Sequence, residues 1–118
     1  MICEAFGSYC YSRRGESLEE VVADLLCRKK ATLSVAESIT GGLLASTIVT
    51  VPGASEFFVE GFVTYSNKAK TGRLDVDPQI IKNYGAVSSE VCVQMVTGAA
   101  SKAGADYALS TTGIAGPG

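Results

Sequence analysis

Three short β-prone runs constrain this chain more than any other feature, because each ends in a polar or glycine-rich cluster and helix-period sequence separates them. Thr32–Ala36 (TLSVA) leads into Glu37–Gly42 (ESITGG). Phe57–Tyr65, aromatic and β-branched, leads into Ser66–Lys70 (SNKAK), and Asp106–Thr112 (DYALSTT) leads into Gly113–Gly118 (GIAGPG). Strands that alternate with helices build layered α/β domains. In open α/β sheets ligands gather beyond the carboxyl ends of the strands. The expected architecture is therefore α/β, a three-layer α/β/α sandwich with a mixed sheet, with Ser38, Tyr65, Lys70 and Thr112 close together at one edge.

The helices between the runs have recognisable starts and stops. Ser17 and Glu20 have the spacing of a capping box, and Leu18, Val21, Val22, Leu25 and Leu26 form one apolar stripe of a helix over Ser17–Lys30. Arg28, Lys29 and Lys30 close it where the helix dipole favours cations. Leu43–Val51 reads as a buried helix stopped by Pro52-Gly53. Asn67–Leu74 reads as a short helix, and Pro78 opens another that ends near Gly85. Ser88 or Ser89 caps a helix through about Lys102, with Val91, Met95, Val96 and Ala99 inward. Gly61 marks an irregularity in the second strand. Residues 1–16 have no periodicity and read as a lead-in or linker. The last strand runs straight into a glycine-rich loop at Gly118, a place where domains seldom end, so the C-terminal part of the domain is expected to be missing.

Composition narrows the functional classes. With 118 residues, 47% hydrophobic and 19% charged, one globular domain is the upper bound. A net charge of −2 without a basic patch argues against nucleic acid as a partner. No apolar run has the roughly 18–20 residues that span a bilayer, and Met1–Gly15 has no secretory pattern. A cytoplasmic location follows as the expectation, with Cys3, Cys10, Cys27 and Cys92 reduced, Cys27 and Cys92 packing as small hydrophobes. The chain has 0 histidines. That removes Ser-His-Asp and Cys-His catalysis and leaves too few ligands for a zinc site. A base acting near neutral pH has to be a lysine, a carboxylate or a tyrosine.

The clusters supply such groups. Ser38 lies between a strand and a helix start, where it is either a nucleophile or, like Thr40, a helix cap. Gly41 and Gly42 let a ligand approach the backbone, and amides at a helix start favour a developing oxyanion. Lys70 is either a solvated helix lysine or a base whose pKa falls on burial beside a serine. Lys68 fits the solvated reading better, and Tyr65 fits a strand aromatic with its hydroxyl at the rim. Gly113–Gly118 has the pattern G-x-x-G-x-G, neither the dinucleotide fingerprint nor a Walker A loop, yet able to cradle an anion through its amides. The S-x-x-K and G-x-S-x-G signatures are absent.

Four ordered segments change the odds: AESITGG (Ala36–Gly42), VPGASEFFVEGFVTYSNKAK (Val51–Lys70), YGAVSSEV (Tyr84–Val91) and TGIAGPG (Thr112–Gly118). Over residues 17–118 the set resembles the C-terminal amidohydrolase domain of the CinA family, which also stands alone as a nicotinamide mononucleotide deamidase. The resemblance implies hydrolysis of nicotinamide mononucleotide to nicotinate mononucleotide and ammonia, in pyridine nucleotide recycling, with no metal or cofactor and a homo-oligomeric state. It implies Ser38 as nucleophile, Lys70 as general base and Tyr65 as the group that orients Lys70 or assists proton transfer. Amides near Thr40–Gly42 or Thr112–Gly113 would meet the oxyanion. Glu37, Asn67, Thr112, Gly113 and Gly116 complete the implied substrate site with Thr40, Gly41 and Gly42. The alternative is a catalytically silent nucleotide-binding or oligomerisation domain of a competence/damage-inducible protein. Two departures stand out. Family members usually carry Cys where this chain has Ile39, and they continue past TGIAGPG with further strands and a closing helix.

Overall fold

A computed structural model describes the backbone of residues 2–117 and the side chains of residues 4–117. The elements run α1 (Ile2–Phe6), a single 3-10 turn (Gly7–Tyr9), α2 (Leu18–Lys29), β1 (Leu33–Glu37), α3 (Leu43–Ile48), a second 3-10 turn (Ala54–Glu56), β2 (Phe58–Val63), α4 (Asn67–Leu74), α5 (Pro78–Tyr84), α6 (Ser89–Ala103) and β3 (Tyr107–Thr111). The fold is α/β, and its sheet has three strands in the order β2-β1-β3. Both pairings are parallel, which corrects the expected mixed sheet. The reason lies in the connections. α3 joins β1 to β2, and α4–α6 join β2 to β3, so each helical crossover returns the chain to the same end of the sheet.

β1 is the middle strand and is buried along its whole length. Its alternation divides the core. Leu33 and Val35 pack with Ala23 and Leu26 of α2, Ile48 of α3 and Phe57. Ala36 packs on the opposite face with Leu74 of α4, Val76, and Val91, Met95 and Ala99 of α6. Helices thus cover both faces. One close approach sets the second layer: a Cβ built on Gly98 of α6 would lie 2.1 Å from the Leu74 carbonyl oxygen. Only a glycine at that point lets α6 press against the end of α4.

Several expectations shift. The predicted capping box of α2 is present, with Ser17 accepting from the Glu20 amide and Glu20 accepting from the Ser17 amide. Its buried residues, however, are Ala23 and Leu26, while Leu18 and Leu25 are exposed. The stripe has the right period, but only part of it meets a partner layer. Val96 is half-buried. α3 stops at Ile48, three residues short of Val51. The irregularity in β2 is a bulge rather than a defect at Gly61. Leu33 pairs with Phe58 and Ser34 with Glu60, leaving Val59 as the extra residue. Gly61 instead admits α3, since a Cβ there would lie 3.3 Å from the Ala45 Cβ. Residues 1–16, read as a lead-in or linker, carry α1 and the Gly7–Tyr9 turn, elements too short to show a period. Cys10, expected as a reduced thiol, is disulfide-bonded; sequence spacing is a poor guide to spatial proximity. Cys27 is a free thiol on the exposed side of α2, and Cys92 is free and half-buried. No helix among the described residues is long and apolar enough to cross a membrane.

Candidate active site

The carboxyl ends of the three parallel strands share one edge, and the polar clusters sit there. β1 delivers Ser38, the first residue after the strand, whose amide donates to the Thr111 carbonyl at 3.0 Å. β2 delivers Thr64, whose amide donates to the Glu37 carbonyl at 2.8 Å. Ser66 then caps α4 by accepting from the Ala69 amide. One turn into α4 comes Lys70. With Leu74 it forms the inward side of that short helix, and both are buried. Leu74 sits in the apolar layer under α6, which holds Lys70 against the sheet.

Lys70 is 1% exposed and Ser38 7%. The Lys70 Nζ lies 3.0 Å from the Ser38 Oγ, 2.9 Å from the Thr64 carbonyl oxygen and 3.1 Å from the Tyr65 carbonyl oxygen. The two carbonyls can only accept. They fix two N–H bonds of the amine, so its remaining position is aimed at the serine hydroxyl. A charged lysine donates along that line. A neutral one presents its lone pair there and accepts the hydroxyl proton. Burial disfavours the ammonium and lowers the pKa of Lys70 from the ordinary 10.5. Among the described residues no carboxylate forms an ion pair with it. A hydroxyl and a desolvated amine so placed are chemically able to serve as nucleophile and base.

Glu37 ends β1 and is fully buried. Its Oε2 accepts from the amides of Gly42 and Leu44, each at 3.0 Å, and its Oε1 from Ala45 at 2.8 Å. The Thr40 and Thr111 hydroxyls lie 2.7 Å apart. The Gly41 amide donates to the Ser38 carbonyl. The N–H groups of Ile39 and Thr40 have no partner among the described residues and follow Ser38 directly. They, rather than those of Gly41 and Gly42, are the turn's open donors.

The other predicted residues fall around this centre with different parts in play. Tyr65 is 67% exposed, and its backbone carbonyl rather than its phenol meets Lys70. Asn67 is exposed at the first position of α4, and Lys68 is exposed beside it. The Thr112 hydroxyl donates to the Ala86 carbonyl at 2.8 Å and ties the end of β3 to the loop before α6. Gly113 lies against Ile39, so close that a Cβ on it would come within 2.7 Å of the Ile39 Cδ1. Gly116 has a φ of +142° with open space around it. Thr64 and Thr111 were not singled out from sequence. The carbonyl of Thr64 matters to Lys70, and a backbone group leaves no trace in residue type.

Comparison with known proteins shows what the chain is similar to. The CinA C-terminal domain family matches residues 15–118. A putative competence-damage inducible protein from Alkaliphilus metalliredigens is 52% identical over 117 residues, 99% of this chain and 28% of that protein. A CinA-like protein from Chlorobaculum tepidum is 53% identical over 112 residues, 95% of this chain and 26% of its own length. The chain therefore spans little more than a quarter of the curated relatives it matches. Among solved structures, the competence/damage inducible protein CihA from Agrobacterium tumefaciens is 39% identical with a TM-score of 0.84, covering 86% of this chain and 61% of that one. A CinA superfamily protein from Escherichia coli is 38% identical with a TM-score of 0.83, covering 85% and 58%. With a buried serine–lysine pair at the strand ends and a match running from residue 15 to residue 118, the chain belongs to the CinA C-terminal domain family.

Proposed function

We propose that this domain is an amide hydrolase that converts nicotinamide mononucleotide and water to nicotinate mononucleotide and ammonia. The observation that carries this reading is the 3.0 Å contact between the Ser38 hydroxyl and the buried amine of Lys70. Neutral Lys70 takes the hydroxyl proton as the Ser38 Oγ bonds to the carboxamide carbon. The oxyanion so formed is met by the Ile39 and Thr40 amides. The C–N bond breaks as Lys70 returns the proton to the departing nitrogen, and ammonia leaves an acyl ester on Ser38. Water, deprotonated by the same lysine, attacks the ester carbon. The C–O bond breaks as the lysine returns that proton to the Ser38 Oγ, and the acid product leaves and ionises to the carboxylate, with Ser38 and neutral Lys70 restored. Tyr65 contributes its carbonyl to aim the lysine. Asn67, Thr112 and the Gly113–Gly116 loop line the edge where the nucleotide would lie.

The test is ammonia release from nicotinamide mononucleotide, with the corresponding acid identified as the second product. Turnover that disappears in Ser38→Ala and persists in Lys68→Ala supports the reading. Saturable binding of the nucleotide without ammonia release would instead identify a silent nucleotide-binding domain.

A further inference from the structure

The turn that carries Ser38 is held by a residue on the other face of the sheet. Alternation along β1 sends the Ser38 side chain toward Lys70 and the Glu37 side chain toward α3. Glu37 is fully buried, and among the described residues no cation pairs with it. An isolated buried carboxylate is costly unless hydrogen bonds replace its water. Here the amides of Gly42, Leu44 and Ala45 do so. Desolvation pushes the Glu37 pKa up, but the Thr40 hydroxyl and the three amides outweigh it, and the net shift is below the ordinary 4.5. α3 has no cap of its own, because it begins behind Gly42, at φ +106°, with no side chain to accept its amides. Glu37 supplies that cap from five residues upstream.

The remaining amides of the segment are also committed. Ser38 donates to Thr111, Gly41 to Ser38 and Leu43 to Thr40. We propose that Glu37 is a positioning residue, neither base nor substrate ligand: its carboxylate locks the Ser38–Gly42 turn so that Ser38 faces Lys70 and only the Ile39 and Thr40 amides remain open to an oxyanion. The end of α3 then already holds a negative charge. It repels a phosphate or carboxylate, so the group presented to Ser38 is a neutral carbonyl such as an amide. The catalytic half of this inference rests on the amide hydrolase reading; the anchoring half does not.

The experiment compares wild type with Glu37→Gln and with Thr40→Val, a milder change that removes the Thr40 hydroxyl with its link to Thr111 and its support of the Glu37 carboxylate, but leaves the three amide bonds to Glu37 in place. Amide hydrogen exchange and steady-state turnover are measured on each. In Glu37→Gln an NH2 replaces one acceptor and confronts an amide donor. Exchange at Gly42, Leu44 and Ala45 is expected to speed up about tenfold or more, at unchanged protection of β1 and α6. The kcat is expected to fall about a hundredfold, with KM within about threefold of wild type. The midpoint of the pH–rate profile stays where it was, because Lys70 lies across the sheet. Thr40→Val moves exchange and kcat in the same directions by less. A raised KM at unchanged kcat would make Glu37 a substrate contact, and a displaced pH midpoint would give it a titrating role; either overturns the proposal. Unaltered exchange in both variants overturns the anchor itself. If wild type releases no ammonia, the hydrolase reading falls alone, and exchange still decides the anchor.

Discussion

Lys70 is an amine with two fixed acceptors and one reactive neighbour, and that asymmetry sets what can be measured. Since burial lowers its pKa, turnover is expected to rise with pH as Lys70 loses its proton, with a midpoint below the ordinary lysine value. Lys70→Arg, which keeps a permanent charge, should abolish the rise along with the activity. Ser38→Ala and Lys70→Ala should each reduce kcat about a thousandfold or more, and the double variant should be little worse, because the two act as one unit. Glu37 titrates with the opposite consequence. Its folded pKa is depressed, so its contribution to stability is whole above the unfolded value and is lost as pH falls through the lower folded one. Urea unfolding between about pH 7 and pH 3 should show an acid limb in wild type that is shallower in Glu37→Gln, the remainder coming from other carboxylates with lowered pKa such as Asp106. That Ser38 and Lys70 come together was legible from the ordered segments that carry the resemblance, whereas residue type alone left each of them a structural alternative. The parts played by Thr64 and Tyr65 were not legible, because any residue supplies a carbonyl.

α4 shows how an element can be legible while its placement is not. Its bounds, Asn67–Leu74, follow from the Ser66 cap and from Asp75 in the left-handed region at φ +56°. What holds it in register is Gly98 on α6, 24 residues later by number, at a close approach no local pattern reveals. Gly98→Ala would drive a methyl into the Leu74 carbonyl. A cost of about 3 kcal/mol, the upper part of the overpacking range, is expected in denaturant unfolding. Because α4 carries Lys70, turnover at full folding should fall as well. Gly72→Ala is the control, since nothing lies near its Cβ position. The parallel sheet was missed for a related reason. Apolar runs announce strands, but direction depends on how each connection crosses the sheet.

At the scale of the whole molecule, the surface is uneven. β3 lies at the edge of the sheet, and Tyr107 and Leu109 are about half exposed beside the uncovered Leu25 of α2. These residues border an apolar hollow of about 380 Å³ between α2 and β3. Strand Tyr107–Thr111 carries no charge or proline to discourage pairing. We therefore expect concentration-dependent self-association in sedimentation velocity, reduced in Leu109→Lys, with the fold unchanged by circular dichroism. The sequence stripe on α2 marked the apolar residues involved. It could not tell which would find a cover, because that depends on neighbours far along the chain.

The Ser38–Lys70 contact joins residues 32 apart in the chain, with α3, β2 and the start of α4 between them. No single helix or hairpin contains both halves of the pair. A collapsed chain with its helices formed but β1 and β2 unpaired would match the native far-ultraviolet signal and still lack a nucleophile. On refolding, recovery of turnover should therefore lag behind recovery of helicity, and the interval between them would time the docking of one half of the molecule onto the other.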